Sequence, residues 1–386
     1  MRHTITGIDF GTTTTKVVIA EVLETTRALK VIGRGIAPSR GIKGGYIVNV
    51  SEAAESLRSA LNQAETEAGV RVTHAYVAVG GVGIDELRVK TESALSKHPR
   101  IITEEDVQNV ISLARAKAEQ QVSNKRIIHE IPLSMTLDGA HTLGSVVDQK
   151  GKILSAETLF IFAHEQHIDK TIEACEEANI EVIDVMAAPL AASLILLNKM
   201  HKTAGSALLI LGSDTTTVAV FDEGIPTSVK VLPIGSQYIT DELALTMKIP
   251  LDEAERLKKN YHTQLTHPRK KVALVVERRI KDILKHVAAH LKTVPHGQLL
   301  PAGIYLAGGG SHLHHMIEFT KSTLKLPVAQ AEIKNVTQRT SQKEVLCAIA
   351  HGMCIFGYEQ ERDSTPTVSP RALMSRFMGW FRQFLP

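Results

Sequence analysis

One segment of this 386-residue chain occurs twice. Ile8-Asp-Phe-Gly-Thr-Thr-Thr-Thr-Lys-Val-Val-Ile19 aligns without gaps on Leu209-Ile-Leu-Gly-Ser-Asp-Thr-Thr-Thr-Val-Ala-Val220. Each copy reads as a strand, a turn of glycine and small hydroxylated residues, and a second strand. One such turn constrains little. Two similar copies far apart in the chain imply a duplicated fold whose halves present hairpins to one cleft. The length agrees, because a single hydrophobic core usually stops growing near ~250–300 residues. Hydrophobic residues make up 44% and charged residues 22% of the chain. That balance excludes disorder, collagen-like repeats and coiled coil as the main architecture.

The rest of the chain predicts α/β structure with sheets covered by helices. Strands are expected over 5–10, 16–22, 29–37 and 73–79. Ser51 is expected to cap a helix in which Ala53, Leu57, Ala60, Leu61, Ala64 and Ala68 recur at helical spacing, and Gly69 closes it. Thr103-Glu-Glu-Asp106 resembles a capping box for a second helix reaching to about residue 119. The stretch 84–163 reads as an inserted subdomain. Beyond it come a long helix near 272–291, a strand over 303–306 and a helix near 341–358. The formal net charge of +3 is too small to point to nucleic acid as the main partner. Cys175, Cys347 and Cys354 have no CxxC spacing and read as buried thiols in a reducing compartment. His286, His290, His312, His314 and His315 lack acidic or cysteine partners at ligand spacing, so they read as surface histidines. No apolar run reaches the ~18–20 residues of a spanning helix and the first residues are no signal peptide, so a cytoplasmic protein is expected.

The turns carry the chemistry. In each hairpin the glycine permits close backbone approach, and successive N–H groups with threonine hydroxyls form an anion nest. Gly11, Thr12, Thr13 and Thr14 supply the first; Gly212, Ser213 and Thr215 supply the second. Asp9, ending the first strand, is placed to hold Mg²⁺ through water, and Lys16 to reach a phosphate oxygen. Ile304-Tyr-Leu-Ala-Gly-Gly-Gly-Ser311 is a third element, a strand running into a glycine turn that opens a helix. Each turn alone is compatible with a plain reversal. The three in order point to a nucleotide cleft between two lobes.

With these turns the chain resembles the actin/Hsp70 ATPase superfamily, and within it the FtsA family of bacterial cell-division proteins. The resemblance runs over nearly the whole chain. Pro38-Ser-Arg-Gly-Ile-Lys-Gly-Gly-Tyr-Ile-Val-Asn49 is similar to the family's loop before its first helix. Ala64-Glu-Thr-Glu-Ala-Gly69, Ile102-Thr-Glu-Glu-Asp-Val107 and Arg126-Ile-Ile-His-Glu-Ile-Pro132 resemble segments around and within the family's 1C subdomain. Pro189-Leu-Ala-Ala-Ser193, Ile234-Gly-Ser-Gln-Tyr-Ile-Thr-Asp-Glu-Leu-Ala244 and Ala254-Glu-Arg-Leu-Lys258 resemble landmarks of its second lobe. The resemblance implies ATP with Mg²⁺. It implies that Gly11–Thr14 hold phosphates, that Glu255 and Lys258 flank ribose and adenine, and that Gly308, Gly309, Gly310 and Ser311 form the adenosine turn. Gly235 falls in the landmark after the second hairpin. It also implies a first lobe over 1–84, 164–204 and 341–360, a 1C-like insert over 85–163 and a 2A/2B-like second lobe over 205–340.

The departures are specific. The family usually has Asp-x-Gly-Gly-Gly-Thr in the second phosphate loop; here Ile210 takes the place of the Asp, and Ser213 and Asp214 replace glycines. An Asp on a phosphate loop adds repulsion. Superfamily ATPases often carry Glu or Gln just before the proline at Pro189; here stand Ala187 and Ala188. Lys16 lies two places later than is usual for FtsA, nearer the spacing in actin and in the pilus protein PilM. Two groups that support in-line attack are therefore missing, and ATP turnover is expected to be slow or absent; no catalytic residue is assigned.

A polar, proline-marked linker over 361–368 leads to a distinct peptide, 369–386. Ser369-Pro370 gives an N-cap with proline at the first helical position. On a helical wheel Leu373, Met374, Phe377, Met378, Trp380, Phe381, Phe384 and Leu385 share one arc, with Arg371, Arg376 and Arg382 on the other side. A helix of ~20–23 Å is too short to span the ~30 Å hydrocarbon core and suits the interface of an anionic bilayer. FtsA-like proteins end in such a membrane-targeting helix. The resemblance thus implies an actin-like scaffold that polymerises on itself. It would bind the FtsZ C-terminal tail, anionic membrane lipids and other divisome proteins, at the cytoplasmic face of the inner membrane in the mid-cell division ring. The alternatives are a PilM-like pilus-assembly scaffold, disfavoured by the tail and the 38–49 loop, and an active ATPase. A chaperone of that second kind would need an appended peptide-binding domain, and a sugar kinase a catalytic Asp that has no evident candidate.

Overall fold

The structure, a computed structural model, describes residues 2–23, 28–142, 145–262, 269–333 and 342–363. Ile84–Gln166 is one compact unit, and the chain before and after it forms the other. The larger unit begins with an antiparallel meander, β1 (Thr4–Phe10), β2 (Thr14–Val22) and β3 (Leu29–Pro38). A small hairpin, β4 (Ile42–Lys43) and β5 (Tyr46–Ile47), leads to α1 (Val50–Ala68) and β6 (His74–Val79). Asn49 caps α1, in place of the expected Ser51. Asn49 holds the extended conformation and its side chain accepts from the Glu52 N–H at 3.3 Å, whereas the Ser51 hydroxyl, inside the first turn, donates to Glu177. Gly69 closes the helix in the left-handed conformation, as its position after the last apolar residue predicts.

The smaller unit comprises β7 (Asp85–Ala94), β8 (Arg100–Ile101), α2 (Glu104–Gln121), β9 (Lys125–Leu137), β10 (Ala140–His141), β11 (Lys150–Gly151) and β12 (Ile153–His164). Its main sheet has the order β10-β9-β12-β7, and a second ribbon pairs β11 with β8. One core gathers Ile102, Val107, Val110, Leu137 and Leu154 around α2. The capping box forms as read: Thr103 Oγ1 accepts from the Asp106 N–H and Asp106 accepts from the Thr103 N–H. Arg100 then grips both oxygens of the same carboxylate, at 2.5 and 2.7 Å.

After α3 (Glu165–Glu177) comes β13 (Glu181–Ala187), which completes a first sheet of order β13-β6-β1-β2-β3. The chain crosses through α4 (Ala188–Leu196) and α5 (Lys199–Thr203) into β14 (Ser206–Leu211), β15 (Thr216–Asp222) and β16 (Ile225–Leu232). Three helices follow, α6 (Gln237–Met247), α7 (Leu251–Asn260) and α8 (Arg269–Thr293), then β17 (Gly303–Ala307), α9 (Met316–Leu324) and β18 (Val328–Gln330). The second sheet has the order β16-β15-β14-β17-β18. Strand for strand this repeats the first: an antiparallel meander, then two parallel strands added on the side of its first strand. The sequence repeat is therefore the visible trace of a duplicated sheet. Two cores correspond to it, one under α1 and α3, the other under α6 to α9.

Residues 342–363 form α10 (Gln342–Leu346) and α11 (Ala348–Asp363), two helices meeting at Cys347 where one was expected. Strand alternation puts Ile8 and Phe10 on the α1 face of the first sheet, and Ile5, Gly7 and Asp9 on the opposite face, against which α11 lies. The α11 seat is backbone on backbone: a methyl group added at Gly7 would lie 2.0 Å from the Ala350 carbonyl oxygen, and one at Gly352 would lie 1.9 Å from that of Ala191 on α4. Among the described residues no helix is long and apolar enough to cross a membrane. The tail 369–386, with its expected lipid-facing residues, lies outside the described residues.

Candidate functional site

The β1–β2 and β14–β15 turns and the turn after β17 converge on one cleft of about 570 Å³ within the larger unit. In the first hairpin Asp9 stands directly opposite Lys16 in the antiparallel ladder. Opposed residues share a face with Cβ atoms ~5 Å apart, so the register itself makes an ion pair. Lys16 Nζ donates to Asp9 Oδ2 at 2.9 Å and to the Thr14 carbonyl at 3.0 Å. Both residues are buried. Ser39, just after β3, pins the turn by donating from its hydroxyl to the Gly11 carbonyl at 2.7 Å and from its N–H to the Thr13 carbonyl at 3.0 Å. Gly11, Thr12, Thr13 and Thr14 line the cleft.

In the second hairpin the same ladder position pairs Ile210 with Thr217, so no ion pair forms. The turn is closed by the Gly212 N–H donating to the Thr215 carbonyl at 2.8 Å. The segment entering α6 clasps it from below: the Ser236 and Gln237 N–H groups donate to the Gly212 and Ser213 carbonyls at 2.9 and 2.8 Å. Gly235 is required there because it packs directly on the turn and does not itself line the cleft. Asp214 was expected to add negative charge among the turn amides. Instead its carboxylate accepts from the Gly44 N–H at 2.9 Å, in the β4–β5 turn of the first half, and Asp214 is not among the lining residues.

The third turn leaves β17 through Gly308, whose φ of 83° suits glycine, and forms a short 3₁₀ turn over Gly309–His312. The α-helix expected to open directly from these glycines begins only at Met316. Gly308, Gly309 and Gly310 line the cleft, and the space above Gly309 is open. Ser311 is buried behind them: its hydroxyl donates to the Gly308 carbonyl at 2.7 Å and accepts from Gln330 at 2.8 Å.

On α7, Glu255 and Lys258 are one helical turn apart and meet at 2.6 Å. The Thr240 hydroxyl donates to the same carboxylate at 2.6 Å, and Lys259 approaches its other oxygen at 3.1 Å. Burial raises the Glu255 carboxyl, but hydrogen bonds from Lys258 and Thr240 outweigh it and hold it below its ordinary value. The charged residues lining the cleft are Asp9, Glu255, Lys16, Lys258 and Lys259, an excess of one positive charge. Sequence reasoning missed Lys259, although it follows Lys258 and lies four residues from Glu255. It also missed the apolar wall where α10 meets α11, including Leu346 and Ile349. Pro189 and Ala188 also line the cleft, and the two residues before the proline are alanines. Among the described residues no group of three or more His, Cys, Asp or Glu is arranged to hold a metal ion. His314 stacks on His262 with ring centroids 4.5 Å apart.

Such an arrangement can take an anionic ligand whose phosphates meet turn amides and whose planar part lies against bare glycine backbone. The family model described as "Cell division protein FtsA" matches residues 207–350. The Bacillus subtilis (strain 168) cell division protein FtsA is 29% identical over 357 residues, covering 87% of this chain and 80% of that relative. Among solved structures, one titled "PilM-PilN type IV pilus biogenesis complex" superposes with a TM-score of 0.70 at 17% identity, covering 93% of this chain and 100% of that one. MreB 5 of Spiroplasma citri bound to AMPPNP superposes with a TM-score of 0.53 at 12% identity, covering 94% and 98%. The chain is thus similar to cell division protein FtsA along most of its length, and its fold is actin-like.

Proposed function

We propose that the chain is an FtsA-like division scaffold that binds ATP in the cleft, assembles on itself and tethers FtsZ filaments to the cytoplasmic face of the inner membrane at mid-cell. The observation that carries this is the convergence of three turns from a duplicated sheet on one cleft, in a chain related to FtsA along most of its length. In family terms we assign Ile84–Gln166 to the 1C-like insert and the two five-stranded sheets to the cores of the two lobes. The first two turns and Lys16 would face phosphates; Glu255, Lys258, Lys259 and Gly308–Gly310 would face the nucleoside. The arginine-bearing amphipathic stretch 369–386 supports attachment to anionic lipid, and the FtsZ tail and other divisome proteins are the partners the relationship suggests.

Mg²⁺, which the family implies, fits these residues poorly. A protein-held Mg²⁺ needs oxygen ligands or waters fixed by carboxylates. Asp9 is engaged by Lys16, Ile210 replaces the second carboxylate, and alanines precede Pro189. With alanines at both positions before Pro189, where a Glu or Gln would orient an attacking water, the chain is read as one that binds ATP and turns it over slowly or not at all. ATP would then act by stabilising the closed arrangement of the two halves.

A supported anionic bilayer tests the reading. Purified full chain and ATP are added, followed by labelled FtsZ from the same cell. FtsZ filaments should collect on the membrane, and deletion of 369–386 should abolish the effect. Coating of the bilayer without FtsZ recruitment would sink the division role and leave a pilus-type scaffold as the better reading.

A further inference from the structure

We infer that the Lys16 ammonium does at Asp9 what a bound divalent cation would otherwise do, so that this chain takes its nucleotide with an affinity indifferent to Mg²⁺. The inference rests on the nucleotide reading above and concerns the same cleft.

Four observations lead to it. The Asp9–Lys16 pair follows from ladder register, since opposed residues of an antiparallel pair project to one face. The ammonium is further held by the Thr14 carbonyl at 3.0 Å, and with Asp9 Oδ2 at 2.9 Å it is buried beside the first turn. The equivalent pair in the second hairpin is Ile210 and Thr217, so that copy offers no carboxylate to share a metal. The other carboxylates around the cleft are already engaged: Asp214 by the Gly44 N–H, and Glu255 by Lys258, Lys259 and Thr240.

A divalent ion brought to Asp9 would have to displace or sit beside a buried ammonium, which is electrostatically unfavourable. A triphosphate meets no such conflict. Its oxygens can accept from Lys16 and the turn amides while Asp9 keeps the lysine oriented, as a positioning residue. Mg²⁺ carried in on the phosphates adds nothing that the protein itself grips.

The test is equilibrium binding of a fluorescent ATP analogue to the full chain, in EDTA and in excess Mg²⁺. The two dissociation constants should agree within about threefold, under half of one power of ten. Lys16→Met should weaken binding in EDTA by about tenfold or more, and Mg²⁺ should recover much of it, because Asp9 is then free to order the ion's waters. Lys16→Arg keeps the charge and should remain indifferent to the metal. Wild-type binding at least about tenfold tighter with Mg²⁺ than with EDTA would overturn the inference while leaving the nucleotide site standing. No binding in either condition would overturn the nucleotide reading and this inference with it. If Lys16→Met does not fold, the wild-type comparison still decides.

Discussion

Replacing Gly235 with alanine isolates the support under the second turn. A methyl group there would lie 2.2 Å from the Ser213 carbonyl oxygen, 2.6 Å from its carbon and 2.7 Å from the Thr215 nitrogen. All three are backbone atoms, so no side-chain rotation relieves the overlap. Restoring a contact near 3.2 Å requires the turn to retreat by about 1 Å, which an attractive well of atomic width does not tolerate. That movement stretches the bonds from the Ser236 and Gln237 N–H groups, now 2.9 and 2.8 Å, beyond useful length. Overpacking costs about 1–3 kcal/mol and each of the two lost hydrogen bonds about 1 kcal/mol, so a loss of about 3–5 kcal/mol is expected. In thermal unfolding this is roughly a 6–20 °C fall, at about 2–4 °C per kcal/mol. Affinity for a fluorescent ATP analogue should fall by about tenfold or more, because a displacement of this size misaligns the turn amides. Gly309→Ala separates stability from the site, since nothing lies within 4 Å of the added methyl. Its melting temperature should stay within about 1 °C of wild type, while nucleotide affinity drops because the methyl fills the cleft floor. Unchanged melting and unchanged affinity in Gly235→Ala would refute the clasp and the role given to the second turn.

Two further predictions concern charge. Asp106→Ala removes the return half of a capping box and both Arg100 bonds. It should destabilise Ile84–Gln166 by about 1–3 kcal/mol, read as faster hydrogen exchange confined to that unit. Arg100 holds the Asp106 carboxyl down to about 2, so its contribution is complete above the ordinary carboxylate value and is lost as pH falls toward 2. Lys202 on α5 is buried near the Phe221 ring, and burial, opposed by Glu359, draws its amine down to about 7. The folded value lies below the unfolded one, so the lysine destabilises fully below about 7 and ceases to do so as pH approaches 10.5. Lys202→Met should therefore stabilise by about 1–3 kcal/mol at neutral pH, with the gain shrinking toward pH 10. Thermal unfolding of both proteins across that range decides, and a variant less stable at pH 7 would contradict the reasoning.

What could be read from the sequence was whatever depended on neighbours along the chain. The two hairpins were legible because strand, turn and strand are contiguous, and the repeat implied the duplicated sheet. The Asp9–Lys16 pair follows from counting outward from the turn, whereas residue type taken singly points to a metal ligand and a phosphate ligand. Contacts between distant residues were not legible. Nothing near Asp214 announces Gly44 as the donor it meets, and nothing near Ser311 announces Gln330, which turns its hydroxyl away from the cleft. Residue type favours Ser51 as a cap. Asn49, two positions earlier, is equally suited, and the extended backbone where the chain leaves β5 places it at the helix start.

The seat of α11 bears on how the chain is made. The strands of the first sheet leave the ribosome early, yet the helix lying on β1 and β2 is the last described element to be synthesised. At roughly 5–20 residues per second the wait is on the order of tens of seconds. Gly7 and Gly352 let backbones touch where side chains would intervene, so the seat is shaped for a close backbone approach by this helix. The first half is thus sealed only as translation nears its end, whereas the second sheet and its helices α6 to α9 emerge complete before α11 does. A ribosome stalled between these points carries a finished second half beside an open first sheet, and that nascent chain is the substrate on which chaperones would act.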